Sequence, residues 1–141
     1  MSFWRSWLRK ARDWIAKLKA DKSGGPKHLK LGKLGEDLAV NALKERGYRI
    51  AERNFIINRH EIDIIAVDGE FLVFVEVKTR SDKSYGPPMA AITPKVVARL
   101  KKAAQMYTMK KKLTNAYVRF DVVTVDYADG DPKVEIVRNA F

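Results

Sequence analysis

Three charged positions sit in a stretch otherwise built of apolar, β-branched and aromatic residues. Asp63 lies in HEIDIIAVD (His60 to Asp68), and Glu76 and Lys78 lie in FLVFVEVKTR (Phe71 to Arg80). Charges in apolar strands are costly to bury unless they are paired or bound to a metal. Mg²⁺, or Mn²⁺, takes hard oxygen ligands and is usually held by one or two carboxylates plus water and substrate phosphate. Asp63 and Glu76 on neighbouring strands would supply those carboxylates, and the Val77 carbonyl another oxygen. Lys78 would then orient the attacking water or stabilise charge on a pentavalent phosphate. This is the chemistry of metal-assisted phosphodiester cleavage. The competing reading is a cross-strand salt bridge, worth less than ~1 kcal/mol if exposed. Spacing alone leaves the two open.

The elements that position these groups follow from period and turn chemistry. Strand side chains alternate between faces. Leu72, Phe74, Glu76 and Lys78 therefore share one face, and Val73, Val75 and Val77 the other. Glu61, Asp63 and Ile65 share a face of the preceding strand. Asp68-Gly69 between the two runs predicts an antiparallel hairpin.

HEIDIIAVDGEFLVFVEVKTR resembles the motif of PD-(D/E)XK nucleases. With LGKLGEDLA (Leu31–Ala39) and RFDVVTVD (Arg119–Asp126), it more closely resembles the small bacterial YraN-like family, itself similar to archaeal Holliday junction resolvases. The resemblance runs from Leu31 to the C-terminus and departs at His60, where the family's pattern has glycine. It implies an α/β, restriction-endonuclease-like mixed sheet flanked by helices. It implies Asp63 and Glu76 as metal ligands, Lys78 as the catalytic cation and Glu36 as a helix glutamate approaching the metal. Glu61 is a weaker candidate. For Glu36 the plainer explanation is an exposed glutamate favoured by the helix dipole.

The chain has 141 residues, enough for one domain with a modest core. It has no cysteine, which excludes disulfides, Cys-zinc sites and thiol catalysis and fits a cytoplasmic location. Two histidines argue against a His-rich metal site. No apolar run is long enough to span a bilayer. The net charge of +11 is uneven: Met1–Lys33 carries +8 and the remainder only +3. Basic charge suits nucleic acid or an anionic membrane surface.

Residues 1–20 read as a basic amphipathic helix. Trp4, Trp7, Leu8, Ala11, Trp14, Ile15 and Leu18 share one face, with Arg5, Arg9, Lys10, Arg12, Lys17 and Lys19 around it. Docking on its own domain or a second copy, contact with a membrane surface, and DNA contact are the readings, in that order. Residues 21–30 read as a Gly/Pro linker, and 31–141 as the nuclease-like domain.

Within that domain the expected order is α (Leu31–Arg46, Gly47 as cap), β (Tyr48–Ile57), the hairpin, an irregular loop (Ser81–Thr93), α (Pro94–Leu113), β (Ala116–Asp126) and a short edge strand (Lys133–Val137). The helix stripes are Leu34, Leu38, Ala39, Ala42 and Leu43, and Val97, Leu100, Ala104 and Tyr107. Lys95, Arg99 and Lys102 share a separate face and would meet phosphates. The function expected is a Mg²⁺-dependent endonuclease on DNA, branched DNA included, with a homodimer for paired cuts. The alternatives are a non-catalytic nucleic-acid-binding module of the same fold, or an adaptor working through the Trp helix.

Overall fold

A computed structural model describes residues 27–84 and 86–141, with side chains from Leu31 onward. The expected Trp-rich helix and residues 21–26 of the linker lie outside the described residues. Helix α1 spans Lys27–Glu45, so residues 27–30 of the expected linker are helical. The breakers Gly24, Gly25 and Pro26 all precede Lys27, and nothing in KHLK opposes a helix. Gly47 ends α1 with φ +89°. The Tyr48 N–H donates to Leu43 O and the Gly47 N–H to Lys44 O, each at 3.0 Å, which is the Schellman pattern.

Strands β1 (Arg49–Ile57), β2 (His60–Asp68) and β3 (Phe71–Arg80) follow, then helix α2 (Pro94–Lys110), β4 (Tyr117–Asp126) and β5 (Lys133–Val137). The β2–β3 turn is Gly69-Glu70, one residue later than expected. Asp68 pairs with Phe71, and Gly69 takes φ +60° as the first central residue. The loop before α2 is not wholly irregular, because Pro88–Ala91 forms a 3-10 turn. Pro88 begins it, where a missing N–H costs nothing. Thr93 caps α2 by accepting from the Val96 N–H at 3.3 Å. That helix stops at Lys110, short of Leu113.

The five strands lie in the order β1-β2-β3-β4-β5. Only β3 and β4 run parallel, joined through α2; the other neighbours are antiparallel. Helix α1 packs Leu38, Ala39 and Leu43 on one face against Ile64, Val73, Val75, Val123 and Val125. Helix α2 packs Ala103, Ala104 and Tyr107 on the other against Ile62, Ile65, Leu72 and Phe74. Both faces of the central strands are therefore buried, which is why β2 to β4 read as near-continuous apolar runs. The result is the expected restriction-endonuclease-like mixed sheet.

Strand β2 departs from regular alternation. Ile62 and Ile65 face α2 while Ile64 faces α1, so the pattern breaks at Asp63. The β2–β3 pairing ends at Ile64 and Val75. On the other side, Arg53 pairs with Ile64 and Phe55 with Ile62, and Asn54 between them takes φ +51°. The left-handed region is uncommon for a non-glycine residue, though asparagine tolerates it best.

Candidate active site

Where β2 and β3 part, side chains replace the ladder. Asp63 Oδ2 accepts the Val77 N–H at 2.8 Å. Asp63 is only partly exposed, and burial followed by the charge of Glu76 pushes its carboxyl up to about 7. One carboxylate oxygen from each of Glu36, Glu61 and Asp63 lies within 4.8 Å of the others. Glu36 comes from α1, and the other two from β2. Burial pushes the Glu36 carboxyl up, a hydrogen bond with Asn54 opposes that, and Glu61 adds to it. The same left-handed Asn54 that faces the break in β2 thus also holds Glu36.

Helix α1 reaches the site because Gly35 has no side chain. A Cβ on Gly35 would lie 2.4 Å from Thr79 Cγ2 and 3.3 Å from the Tyr127 hydroxyl. Asp37, on the far side of Glu36, pairs with Arg53 of β1 at 2.7 Å. Glu36 is therefore fixed between a close approach to β3 and an ion pair to β1.

Glu76 is buried, and its charge acts on Asp63 more strongly than those of Glu36 and Glu61. Its oxygens lie 3.2 and 3.4 Å from Arg99 Nη2, and 3.5 Å from Lys78 Nζ. Arg99 Nη1 donates to the Glu61 carbonyl at 3.1 Å. So Arg99, expected to share a face of α2 with Lys95 and Lys102, pairs with Glu76. Lys95 and Lys102, its companions on that helix, are exposed. Of the expected residues, Glu36 and Asp63 lie in one carboxylate group, Glu76 acts on Asp63 through its charge, and Lys78 lies 3.5 Å from Glu76. Glu61 is a full member of the carboxylate group and not a peripheral one.

The Arg119–Asp121 pair serves a different purpose. On the α1 face, Asp121 is fully buried and accepts from Tyr48, at 2.7 Å, from Arg119 and from the Asn139 N–H. Arg119 also pairs with Asp68 at 2.7 Å. This network ties the C-terminal end of α1 to the β2–β3 turn and to the residues after β5.

Fold and site together define a protein of the restriction-endonuclease-like class, with an acidic cluster where two central strands separate. The chain belongs to the uncharacterised protein family UPF0102, whose model matches residues 35–125. It is 44% identical over 111 residues to a UPF0102 protein of Geobacter metallireducens, covering 79% of this chain and 91% of that one. It is 47% identical over 112 residues to one of Geotalea uraniireducens, covering 79% and 88%. A relative from Syntrophus aciditrophicus is 43% identical over 114 residues, covering 81% and 90%. The matched region holds Glu36, Glu61, Asp63, Glu76, Lys78 and Arg99.

Proposed function

We propose that this protein is a divalent-metal-dependent endonuclease that hydrolyses phosphodiester bonds in DNA. The observation that carries the reading is the convergence of Glu36, Glu61 and Asp63 within 4.8 Å, with a cationic Lys78 on the adjoining strand. The donor set fits Mg²⁺ or Mn²⁺: every member is a hard carboxylate oxygen, and their mutual repulsion asks for a cation. Asp63 would hold the ion with Glu36 or Glu61, and Glu76 would join it. When bound, the ion would supply Lewis-acid neutralisation of charge at the scissile phosphate. Asp63 would serve as a ligand in its ionised form, and the Val77 N–H keeps its carboxylate oriented. Asn54 does the same for Glu36. Lys78 orients water or neutralises the phosphate oxygens as charge builds there. Lys95 and Lys102 contact the DNA backbone beyond the site. Branched DNA is one substrate class to test, and paired cuts in a four-way junction would need a two-fold dimer.

The test is to incubate the pure protein with linear, nicked, flapped and four-way DNA, with Mg²⁺, with Mn²⁺ and with EDTA. Cleavage should need metal and fail in EDTA. Lys78→Met should lose turnover at saturating DNA with little loss of DNA affinity. Binding without cutting under every condition would make the protein a non-catalytic DNA-binding module.

A further inference from the structure

The β2–β3 ladder stops at Ile64 and Val75, yet the acidic group beyond it draws on both strands. Glu61 and Asp63 lie on β2, and Glu76 lies on β3. Asp63 supplies one tie across the gap, through the Val77 N–H at 2.8 Å. Arg99 supplies another from α2. Its Nη1 donates to the Glu61 carbonyl at 3.1 Å, and its Nη2 lies 3.2 and 3.4 Å from the two Glu76 oxygens. A guanidinium is a planar, rigid fork, so its nitrogens fix these two partners relative to each other. The stem of the fork is anchored too: Thr93 caps the start of α2, and Leu100, next to Arg99, is buried. The contact does not use up Glu76. One nitrogen serves both oxygens, and a carboxylate has about four lone-pair sites, so lone pairs remain for a cation.

We infer that Arg99 is a positioning residue: it spans the gap between β2 and β3, holds Glu61 and Glu76 at a fixed spacing beside Asp63, and so sets the size of cation the site accepts. The cation-size part rests on the proposed metal-dependent reading; the spacing rests on the bonds alone. Mg²⁺ demands near-ideal octahedral geometry with oxygens at about 2.0–2.1 Å, whereas Ca²⁺ takes more oxygens, further off and in looser arrangements. Selection between the two is a matter of site size and rigidity. A fork that braces two strands where their ladder is missing supplies that rigidity. Groups that orient metal ligands from behind typically contribute about 10- to 100-fold in metal affinity. The positive charge of Arg99 acts separately, repelling small and large divalent ions alike.

Two measurements on the full chain test this. The first needs no metal. Amide hydrogen exchange at Val77 should quicken about tenfold or more in Arg99→Met, while residues 66–68 and 71–73 of the intact ladder keep the wild-type rate. A variant that is only less stable would quicken the whole sheet together. The second is the ratio of Mg²⁺ to Ca²⁺ affinity, each measured by competition with bound Mn²⁺. Loss of a charge moves both ions alike, whereas a loosened site moves their ratio. Arg99→Met should shift the ratio towards Ca²⁺ about tenfold. Arg99→Lys keeps the charge but replaces the fork with one nitrogen, and its Mn²⁺ affinity should fall about 10- to 100-fold. If thermal melts show Arg99→Met unfolded, Arg99→Lys carries both measurements. Unchanged exchange at Val77 would overturn the positioning role and leave the nuclease reading intact. Faster exchange with an unchanged ratio would overturn the selection by size. Absence of Mn²⁺ binding in the wild type would overturn the metal reading and the size selection with it, and exchange at Val77 would still decide the spacing.

Discussion

Gly35 of α1 lies so close to Thr79 of β3 that a Cβ there would sit 2.4 Å from Thr79 Cγ2. Glycine costs a helix interior about 1 kcal/mol relative to alanine, and the close approach explains why it stands there. Gly35→Ala should therefore lose roughly 1–3 kcal/mol of stability through overpacking, in spite of its better helix propensity. It should also push Glu36 out of the carboxylate group. Thr79→Ser removes the offending methyl, so the double variant should regain the lost stability in denaturant titrations. A double variant as unstable as Gly35→Ala would place the strain elsewhere, with the Tyr127 hydroxyl as the next neighbour.

Asp63 makes the site costly to keep. Its carboxyl is raised by burial and by Glu76 from 3.8 to about 7, so the folded protein binds a proton more tightly than the unfolded chain. Stability is then full below pH 4 and falls as pH rises towards 7, as far as this group is concerned. A tenfold change in proton affinity is worth about 1.4 kcal/mol. Asp63→Asn should thus be more stable than wild type at pH 8 without metal, by about 1 to 4 kcal/mol, and should show no such gain at pH 4. Denaturant titrations at the two values check this. Equal stability at pH 8 would mean that the carboxylate is well solvated.

Asp121 has the opposite sign. Burial works against its charge, but hydrogen bonds from Arg119, from the Asn139 N–H and from Tyr48 outweigh burial and hold the carboxyl below 3.8. Its contribution is present above pH 4 and lost as pH falls through the lowered value. Arg119→Met leaves a buried, half-satisfied carboxylate and should cost about 3–5 kcal/mol. Arg119→Met/Asp121→Leu should recover most of that, because no buried charge remains. The Arg119 guanidinium also lies 5.7 Å from the Tyr48 ring centroid and 5.1 Å from that of Phe71, and a double variant no better than the single would show that this packing is the larger part.

The N-terminal segment carries all three tryptophans, so their fluorescence reports on it alone. Deleting residues 1–25 leaves α1 whole and should leave cooperative unfolding and metal binding unchanged, while oligomeric state or vesicle binding changes. A blue-shifted spectrum in dilute protein without lipid points to docking or self-association. A shift only with anionic vesicles, fading with salt, points to the membrane. Loss of cooperative unfolding on deletion would make the segment part of the domain's core.

Much of the fold was legible because its signals are local. Thr93-Pro94, Gly47 and the helix stripes mark the helices, and the apolar runs mark the buried strands. The helix start at Lys27 was missed because Gly24-Gly25-Pro26 lent its character to the residues after it. The site was legible in Asp63, Glu76 and Lys78, whose charges sit in apolar strands. Its real arrangement was less so. Strict alternation puts Asp63 opposite Glu76, whereas the break in β2 at Asp63 sends its carboxylate to the Val77 N–H. That break has one sequence sign, an asparagine within β1. Helix periodicity puts Arg99 on one face with Lys95 and Lys102, and periodicity cannot tell that this long side chain also reaches the buried Glu76 carboxylate.

Calorimetric titration of the full chain with Mn²⁺ at pH 8 tests most directly whether the separated β2 and β3 strands build a divalent-cation site from Glu36, Glu61, Asp63 and Glu76. One ion should bind weakly, because a carboxylate site of this kind leaves several waters on the cation. Asp63→Asn should abolish the binding, and Glu36→Gln, Glu61→Gln and Glu76→Gln should each weaken it. Binding unchanged in Asp63→Asn, or no binding to the wild type at millimolar Mn²⁺, would contradict the account.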